Sequence, residues 1–211
     1  MIKNISQVIE TGSITYKKNP EIRKEIPESE FMTALSKNIS SCMKYGNTKY
    51  IIDNDNLPII KDLYYYLCCN ENFSGDLDKG IILEGAIGSG KTILLSSFVK
   101  LIPTKNSGTK RFIHAKDVAT NIDNTNNPYS QPFLSSIIYI DDIGKEPSEY
   151  KEYGNVIRPF EDFIRQRYER NILTFGTTNY TLKDLPYITH TKDRMIEMFN
   201  FIVLPGKTRR S

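Results

Sequence analysis

The sequence has little cysteine and no long apolar run, and each shortage excludes a class of protein. Its three cysteines, two of them adjacent at Cys68 and Cys69, supply neither a disulfide framework nor a four-ligand zinc site. The longest uncharged apolar stretches, 64–69 and 201–204, are far shorter than the roughly 18 residues of a membrane span. The N-terminus also lacks the apolar segment of a secretory signal. We therefore expect a cytoplasmic protein that crosses no membrane.

Charge is nearly balanced over the whole chain but unevenly distributed along it. The 211 residues carry a formal net charge of +3, and 25% of them are charged, which is ordinary for a globular protein. Between residues 151 and 211, 11 Lys and Arg stand against 7 Asp and Glu, a difference of +4. A basic C-terminal third fits a nucleic-acid footprint, and it fits ordinary solvated charge equally well.

The chain divides into two regions with different apolar patterns. In the first region, apolar residues recur at helical spacing from Met32 to Met43, and a second helix is predicted to start near Asn56. The polar, glycine-containing segment 70–80 separates this region from the rest. We predict a small, mainly helical N-terminal region over residues 1–75 and a core domain over residues 76–211.

Five short apolar runs follow Gly80, separated by segments long enough for helices. Runs of this kind are typical of strands that are buried on both faces of a parallel sheet. The runs are 81–83, 111–113, 137–140, 172–175 and 201–204. They predict a three-layer α/β sandwich.

The first run leads into GAIGSGKT, Gly85 to Thr92, which matches the P-loop pattern. Glycines let backbone N–H groups converge on phosphate oxygens, and the N-terminus of the following helix attracts negative charge. Lys91 is predicted to reach the β- and γ-phosphates, and Thr92 to offer its hydroxyl to Mg²⁺. The alternative is a glycine-rich structural turn. The predicted nucleotide-binding residues are Gly85, Gly88, Ser89, Gly90, Lys91 and Thr92.

Polar side chains end two later runs, where parallel strands present their carboxyl ends. Asp141 and Asp142 directly follow the third run, and Asn179 ends the stretch ILTFGTTN, which begins with the fourth. Asp141 is predicted to hold Mg²⁺ with Thr92, and Asp142 to accept a hydrogen bond from the attacking water. Asn179 is predicted to orient that water without competing for the metal. The alternatives are a helix cap or solvated turn for the acidic pair and a plain turn for Asn179.

Together these motifs resemble the AAA+ ATPases, and among them the DnaC-type helicase loaders and IstB-type transposition helpers. The resemblance covers about residues 79–211 and rests on GAIGSGKT, YIDDIGKE, RYERNILTFGTTN, DRMIEM and LPGKTRR. It implies an AAA+-like, ASCE-type P-loop fold in which Asp142 is the catalytic carboxylate and Asn179 is sensor 1. Many AAA+ proteins have glutamate at the catalytic position, so Glu146 is the alternative. Only 32 residues follow Asn179, and they must supply the box VII helix and a last strand, so we expect a core without a C-terminal helical lid.

The resemblance also assigns two arginines. Arg194, in TKDRMIEM, resembles the box VII arginine that reaches the γ-phosphate of a neighbouring subunit. The alternative is a helix-surface arginine paired with Glu197 or Asp193. Arg210, in GKTRR, resembles the sensor 2 arginine, and the alternative there is a basic tail.

The resemblance implies an ATPase that uses ATP and Mg²⁺ and turns over slowly, in dependence on assembly and DNA. It implies head-to-tail self-association on single-stranded DNA, since an arginine acting in trans requires a heterologous interface. The N-terminal region would hold the replicative helicase that the assembly delivers. Lys110, Arg111 and Lys116 are candidate DNA contacts. The alternatives are an IstB-like helper on duplex DNA, a nucleotide-gated scaffold with little turnover, and a small-molecule or nucleotide kinase.

Overall fold

Helices and strands alternate through the core of the chain. The computed structural model describes residues 26–43, 49–104, 110–120, 133–147, 149–152 and 155–206. Within these ranges the helices are α1 (Glu28–Cys42), α2 (Leu57–Leu67), α3 (Lys91–Val99), α4 (Ala115–Thr120), α5 (Pro159–Glu169) and α6 (Thr189–Met198). The strands are β1 (Gly80–Glu84), β2 (Arg111–His114), β3 (Ile138–Ile143), β4 (Tyr150–Glu152), β5 (Asn155–Ile157), β6 (Thr174–Thr178) and β7 (Phe199–Val203).

Five strands form one parallel sheet in the order β2-β3-β6-β1-β7. Each corresponds to a predicted apolar run, although β6 starts two residues later, at Thr174, and β7 two residues earlier, at Phe199. Strand β6 lies between β1 and β3, which is the ASCE arrangement. Because parallel strands end on the same edge of a sheet, the ends of β1, β3 and β6 meet at one place. The predicted α/β fold is confirmed.

Helices cover both faces of the sheet and divide the core into two hydrophobic clusters. On one face, Phe98 of α3 and Tyr66 of α2 lie against Phe175 of β6, with ring-centroid distances of 6.3 and 6.1 Å. On the other face, Phe163 of α5 and Met195 of α6 are fully buried against the sheet. The strands are therefore buried on both sides, as their continuous apolar character predicts.

The described helices of the N-terminal region pack directly on α3. Phe31 of α1 lies 6.5 Å from Phe98, centroid to centroid, in an edge-on arrangement. The Asn38 side-chain amide donates a hydrogen bond of 3.1 Å to the carbonyl of Ser97. Both contacts place α1 in the same hydrophobic cluster as the P-loop helix. Residues 1–25 lie outside the described residues, and a domain boundary at residue 75 stays a prediction.

Helix α2 starts at a buried polar side chain, at the position that the sequence predicts. Asn56 is fully buried, and its side-chain oxygen accepts a hydrogen bond of 2.9 Å from the Asp53 amide. Its side-chain nitrogen donates one of 2.8 Å to the carbonyl of Ile51. Pro58 stands in the first turn, where a missing N–H costs nothing. These bonds order residues 51–56, directly before α2.

Strand β7 is the last element within the described residues, which end at Gly206. Within the described residues no further helix follows β7, and the absence of a lid stays a prediction. Among the described residues, no helix combines the length and the apolar character that crossing a bilayer requires.

Candidate functional site

The predicted P-loop connects β1 to α3 at the carboxyl edge of the sheet. Gly90 caps α3 with a φ of +88°, a conformation that L side chains rarely adopt, and a Cβ there would lie 2.6 Å from the ring of Tyr50. At Gly85 the backbone approaches β7 so closely that a Cβ would lie 2.5 Å from the carbonyl oxygen of Leu204. Glycine is therefore required at both positions, as the P-loop pattern predicts.

The Lys91 side chain lies folded back over this loop and is only 5% exposed. Its ammonium nitrogen lies 2.7 Å from the carbonyl oxygen of Gly85 and 2.8 Å from that of Ala86. It also lies 2.9 Å from the side-chain oxygen of Asn179, at the end of β6. Phosphate oxygens also accept hydrogen bonds, and because they carry negative charge they bind an ammonium more strongly than neutral carbonyl and amide oxygens do. The Lys91 ammonium is therefore placed to bind a phosphate group in this cleft.

The structure joins the two predicted metal ligands. The hydroxyl of Thr92 donates a hydrogen bond of 2.9 Å to Oδ1 of Asp141. The same oxygen accepts bonds of 2.8 Å from the hydroxyl of Tyr139 and 2.6 Å from that of Thr177. A hydroxyl and a carboxylate are oxygen ligands of the type that Mg²⁺ prefers. The pair therefore fits Mg²⁺, with Tyr139 and Thr177 fixing the orientation of the carboxylate.

A β-bulge sets the position of the second acidic residue. The pairing of β3 with β6 shifts register between Ile140 and Ile143, and Asp142 within the bulge has a φ of +60°. Its amide lies 3.2 Å from the hydroxyl of Thr177, and its carboxylate forms an ion pair of 2.9 Å with Lys145. Both side chains of that pair are partly exposed. The side chain of Asp142 is thus accessible to solvent, and its carboxylate is paired with the ammonium group of Lys145.

Glu146, the alternative catalytic carboxylate, lies in a different environment. It is 4% exposed and accepts hydrogen bonds from the amide of Gly144, at 3.0 Å, and from the hydroxyl of Tyr187. Burial raises the pKa of the Glu146 carboxyl above its ordinary value. These contacts tie Glu146 to the segment that precedes α6. Of the two candidates, Asp142 is the more exposed one.

The predicted trans-acting arginine lies away from the P-loop helix, on α6, which packs on the opposite face of the sheet from α3. Its guanidinium carbon lies 5.7 Å from the ring centroid of Tyr168, on α5. Among the described residues, Arg194 makes no ion pair with a carboxylate. The alternative pairing with Glu197 or Asp193 is therefore not what the structure shows. Arg209 and Arg210 lie outside the described residues.

The three candidate DNA contacts differ in their availability. Lys110 donates a hydrogen bond of 2.6 Å to the carbonyl of Lys100, and burial lowers the pKa of its ammonium. The guanidinium of Arg111 lies 4.7 Å from the ring centroid of Phe133. Lys116, in α4, is exposed. Of the three, Lys116 is the one whose side chain faces solvent.

Sequence reasoning missed four residues that shape the site: Tyr50, Tyr139, Lys145 and Thr177. The position of Tyr139 carries a signal, because residues two apart on a strand share a face and Tyr139 stands two before Asp141. Thr177 stands two before Asn179 on the adjacent strand, which is a comparable signal. The contact of Tyr50 with the P-loop joins segments far apart in sequence and has no local signal.

Comparison with solved structures identifies the fold. DnaI matches with 19% sequence identity and a TM-score of 0.55, over 88% of this chain and 94% of that chain. A DnaC helicase loader matches with 19% identity and a TM-score of 0.52, over 83% and 99% of the two chains. The replication initiator DnaA, bound to AMPPCP and single-stranded DNA, matches with 14% identity and a TM-score of 0.55, over 90% and 52%.

At these identities the similarity establishes the fold. No protein-family model and no curated protein matches the sequence. The parallel sheet with β6 between β1 and β3, and the solved structures that share it, agree with the resemblance that the motifs carry. The chain has the fold of the DnaC-type AAA+ P-loop ATPases.

Proposed function

We propose that this chain is an ATP-dependent accessory of DNA replication, similar to a helicase loader. The observation that carries the proposal is the convergence of Lys91, Thr92, Asp141 and Asn179 at the ends of three adjacent strands. These four residues supply a cation for phosphates, two oxygen ligands for Mg²⁺ and a side-chain amide beside them. A P-loop ATPase that hydrolyses ATP to ADP and phosphate requires the same groups.

Each residue of the cleft has a separate proposed role in hydrolysis. Lys91 would exchange its carbonyl partners for phosphate oxygens. Thr92 and Asp141 would hold Mg²⁺, which when bound would neutralise charge on the phosphates. Asp142 accepts a hydrogen bond from the attacking water after its carboxylate leaves Lys145. Asn179 positions the same water. The loss of the Lys145 ion pair thus precedes catalysis, and this requirement is consistent with slow turnover.

Arg194 acts on the nucleotide of a neighbouring subunit. Its helix packs on the face of the sheet opposite α3, and the guanidinium has no carboxylate partner among the described residues. An arginine of one subunit that contacts the phosphates of the next requires a head-to-tail interface. Bound ATP then stabilises the assembly, and hydrolysis releases it.

The proposal of DNA and helicase partners is supported by the proteins that share the fold. One of them is a helicase loader, and another is a replication initiator solved with AMPPCP and single-stranded DNA. Similarity to these two proteins favours a function in replication over the transposition-helper alternative. We assign single-stranded DNA to the inner face of the assembly, with Lys116 as a candidate contact, and the replicative helicase to the N-terminal region.

A second function, a nucleotide-gated scaffold with little turnover, is supported by one observation. The carboxylate of Asp142 is engaged by Lys145 at 2.9 Å. A catalytic carboxylate that stays paired with a cation is a weaker base toward water, and bound ATP would then serve mainly to hold the assembly together. Measured turnover distinguishes a scaffold from an ATPase.

The decisive experiment mixes two inactive variants. Lys91→Ala removes the phosphate contact and leaves Arg194, whereas Arg194→Ala leaves the nucleotide site complete. Each variant alone should lose turnover by at least about 10³-fold. An equimolar mixture should recover about a quarter of the wild-type turnover, because about one random interface in four joins an intact site to an intact arginine. Arg165→Ala, on the adjacent helix, is the matched control and should remain active.

The DNA arm of the experiment uses single-stranded and duplex DNA of equal length. Single-stranded DNA should raise turnover most at protein concentrations too low for unaided assembly. A greater effect of duplex DNA would favour the transposition-helper alternative. Turnover that is independent of protein concentration and unchanged in Arg194→Ala would contradict the proposal.

A further inference from the structure

The side chains of Tyr168 on α5 and of Arg194 and Glu197 on α6 form a cluster of contacts on the protein surface. The hydroxyl of Tyr168 lies 2.6 Å from a carboxylate oxygen of Glu197, and the guanidinium of Arg194 lies 5.7 Å from the centre of the Tyr168 ring. Tyr168 and Arg194 are partly exposed, and Glu197 is exposed. Since Arg194 and Glu197 stand three apart on one helix, they are positioned to form a direct ion pair.

The observed arrangement avoids that pair. The Glu197 carboxylate accepts the phenol hydroxyl, and Arg194 rests on the ring of the same tyrosine. A cation over an aromatic face is attracted to the ring without giving up its charge to a carboxylate. Among the described residues, Arg194 has no carboxylate partner. Its charge is therefore available to an anion from outside the subunit.

We infer that Tyr168 is a positioning residue for Arg194: its ring supports the guanidinium, and its hydroxyl occupies the carboxylate that would otherwise neutralise it. The inference rests on the proposed role of Arg194 in trans and adds the device that keeps this arginine available. Neither residue contributes to the nucleotide site of its own subunit. The effect of Tyr168 is therefore expected only at the neighbouring subunit.

The mutual effects of the three groups agree with this arrangement. The hydrogen bond to Glu197, followed by the negative charge of the same residue, raises the pKa of the Tyr168 phenol, while the charge of Arg194 opposes the rise. Tyr168 therefore stays protonated, as a donor to Glu197, to a higher pH than an ordinary tyrosine. Tyr168→Phe removes only the phenol oxygen and leaves the ring in place. The Glu197 carboxylate then loses its hydrogen bond and can form an ion pair with Arg194.

The test measures only the arginine that a subunit donates. Arg194→Ala subunits serve as acceptors, with a complete nucleotide site, and Lys91→Ala subunits serve as donors, whose own site is silent. Donors that also carry Tyr168→Phe should support about two- to fivefold less turnover, the scale of one exposed ion pair. The KM for ATP should not change, because the acceptor's nucleotide site is unaltered.

Rescue separates positioning from a general structural role. A donor with both Tyr168→Phe and Glu197→Gln should recover full activity, because the neutral amide no longer captures Arg194. Glu169→Gln is the matched control: it removes a carboxylate that pairs with Arg165 on α5, at 2.8 Å, and should not rescue Tyr168→Phe. Tyr168→Leu, which also removes the ring, should stay impaired in combination with Glu197→Gln.

The outcomes separate this inference from the function on which it rests. If the Tyr168→Phe donor matches the parent donor, or if Glu197→Gln fails to rescue it, the positioning role is wrong while the trans-acting arginine stands. If Arg194→Ala by itself retains wild-type turnover, the proposed function fails, and the role of Tyr168 fails with it.

Discussion

The hydroxyl of Thr177 contacts both acidic residues at the end of β3: it lies 2.6 Å from Oδ1 of Asp141 and 3.2 Å from the backbone nitrogen of Asp142. Thr177 is fully buried on the adjacent strand β6. One hydroxyl thus donates to the proposed metal ligand and accepts from the proposed catalytic residue. The geometry of the acidic pair depends on this side chain.

Replacing Thr177 with Val removes the hydroxyl and keeps the shape of the side chain. The change should lower the free energy of unfolding by about 1–3 kcal/mol, because the Asp141 carboxylate and the Asp142 amide each lose the hydrogen bond to the Thr177 hydroxyl. It should also raise the Mg²⁺ concentration at which turnover is half-maximal. Urea unfolding and a Mg²⁺ titration measure the two effects. Thr33→Val, on the exposed side of α1, is the control and should change stability by less than about 0.5 kcal/mol.

Asp142 and Glu146 can be distinguished by conservative amides. Asp142→Asn should lower turnover by about 10²- to 10⁴-fold with little effect on nucleotide binding, because the group that activates water is lost. Glu146→Gln should keep turnover, because its amide oxygen can still accept the Tyr187 hydroxyl. Steady-state turnover and nucleotide affinity of both variants provide the measurement. The opposite ranking would assign catalysis to Glu146.

Lys145→Met should accelerate hydrolysis. The methionine is also unbranched and nearly as long, but it releases the carboxylate of Asp142, which the structure shows paired at 2.9 Å. Because both side chains are partly exposed, the gain should be modest, about two- to fivefold. Lys145→Arg keeps a cation and should behave like wild type. If Lys145→Met leaves the protein without turnover, the scaffold alternative gains support.

The buried carboxyl of Glu146 should make stability depend on pH. Burial raises its pKa in the folded protein above the value of about 4.3 expected in the unfolded chain. In the window from about pH 4.3 up to the raised value, the folded state binds a proton that the unfolded chain releases, so stability falls as pH rises. Glu146→Gln cannot lose a proton at this position.

The free energy of unfolding of Glu146→Gln, relative to wild type, should therefore increase as pH rises above about 4.3, and it should level off above the raised pKa of Glu146. Urea unfolding of both proteins at several pH values measures this difference. A difference that stays constant across the range would show that Glu146 does not carry the effect.

The sequence predicts the fold well because the sheet is built from short apolar runs. Five runs correspond to five strands, and the P-loop, Asp141 and Asn179 meet where parallel strands end. The predicted run starts two residues before β6, because Ile172 and Leu173 are apolar although they precede the strand. It also stops before Thr177 and Thr178, which are polar but buried and hydrogen-bonded to β3. The β4–β5 pair, which consists of two three-residue strands, had no clear apolar run.

Contacts between distant segments could not be predicted from one sequence. Tyr50 lies beside Gly90, and Tyr168 lies between Glu197 and Arg194 only because helices and loops pack together in three dimensions. The ion pair of Asp142 with Lys145 is local in sequence, but it depends on a bulge that the pattern of apolar residues does not reveal. Side-chain pairing, more than secondary structure, is what the sequence left open.

Helix α3 begins at Lys91, in the nucleotide cleft, and its other end contacts α1 through Phe98 and Phe31. The nucleotide and any partner on α1 therefore act on a single helix from its two ends. Thermodynamic linkage makes such an effect mutual: if ATP tightens the binding of that partner, the partner tightens the binding of ATP by the same factor. A cargo bound to the N-terminal helices would then help to determine how long each subunit retains its nucleotide.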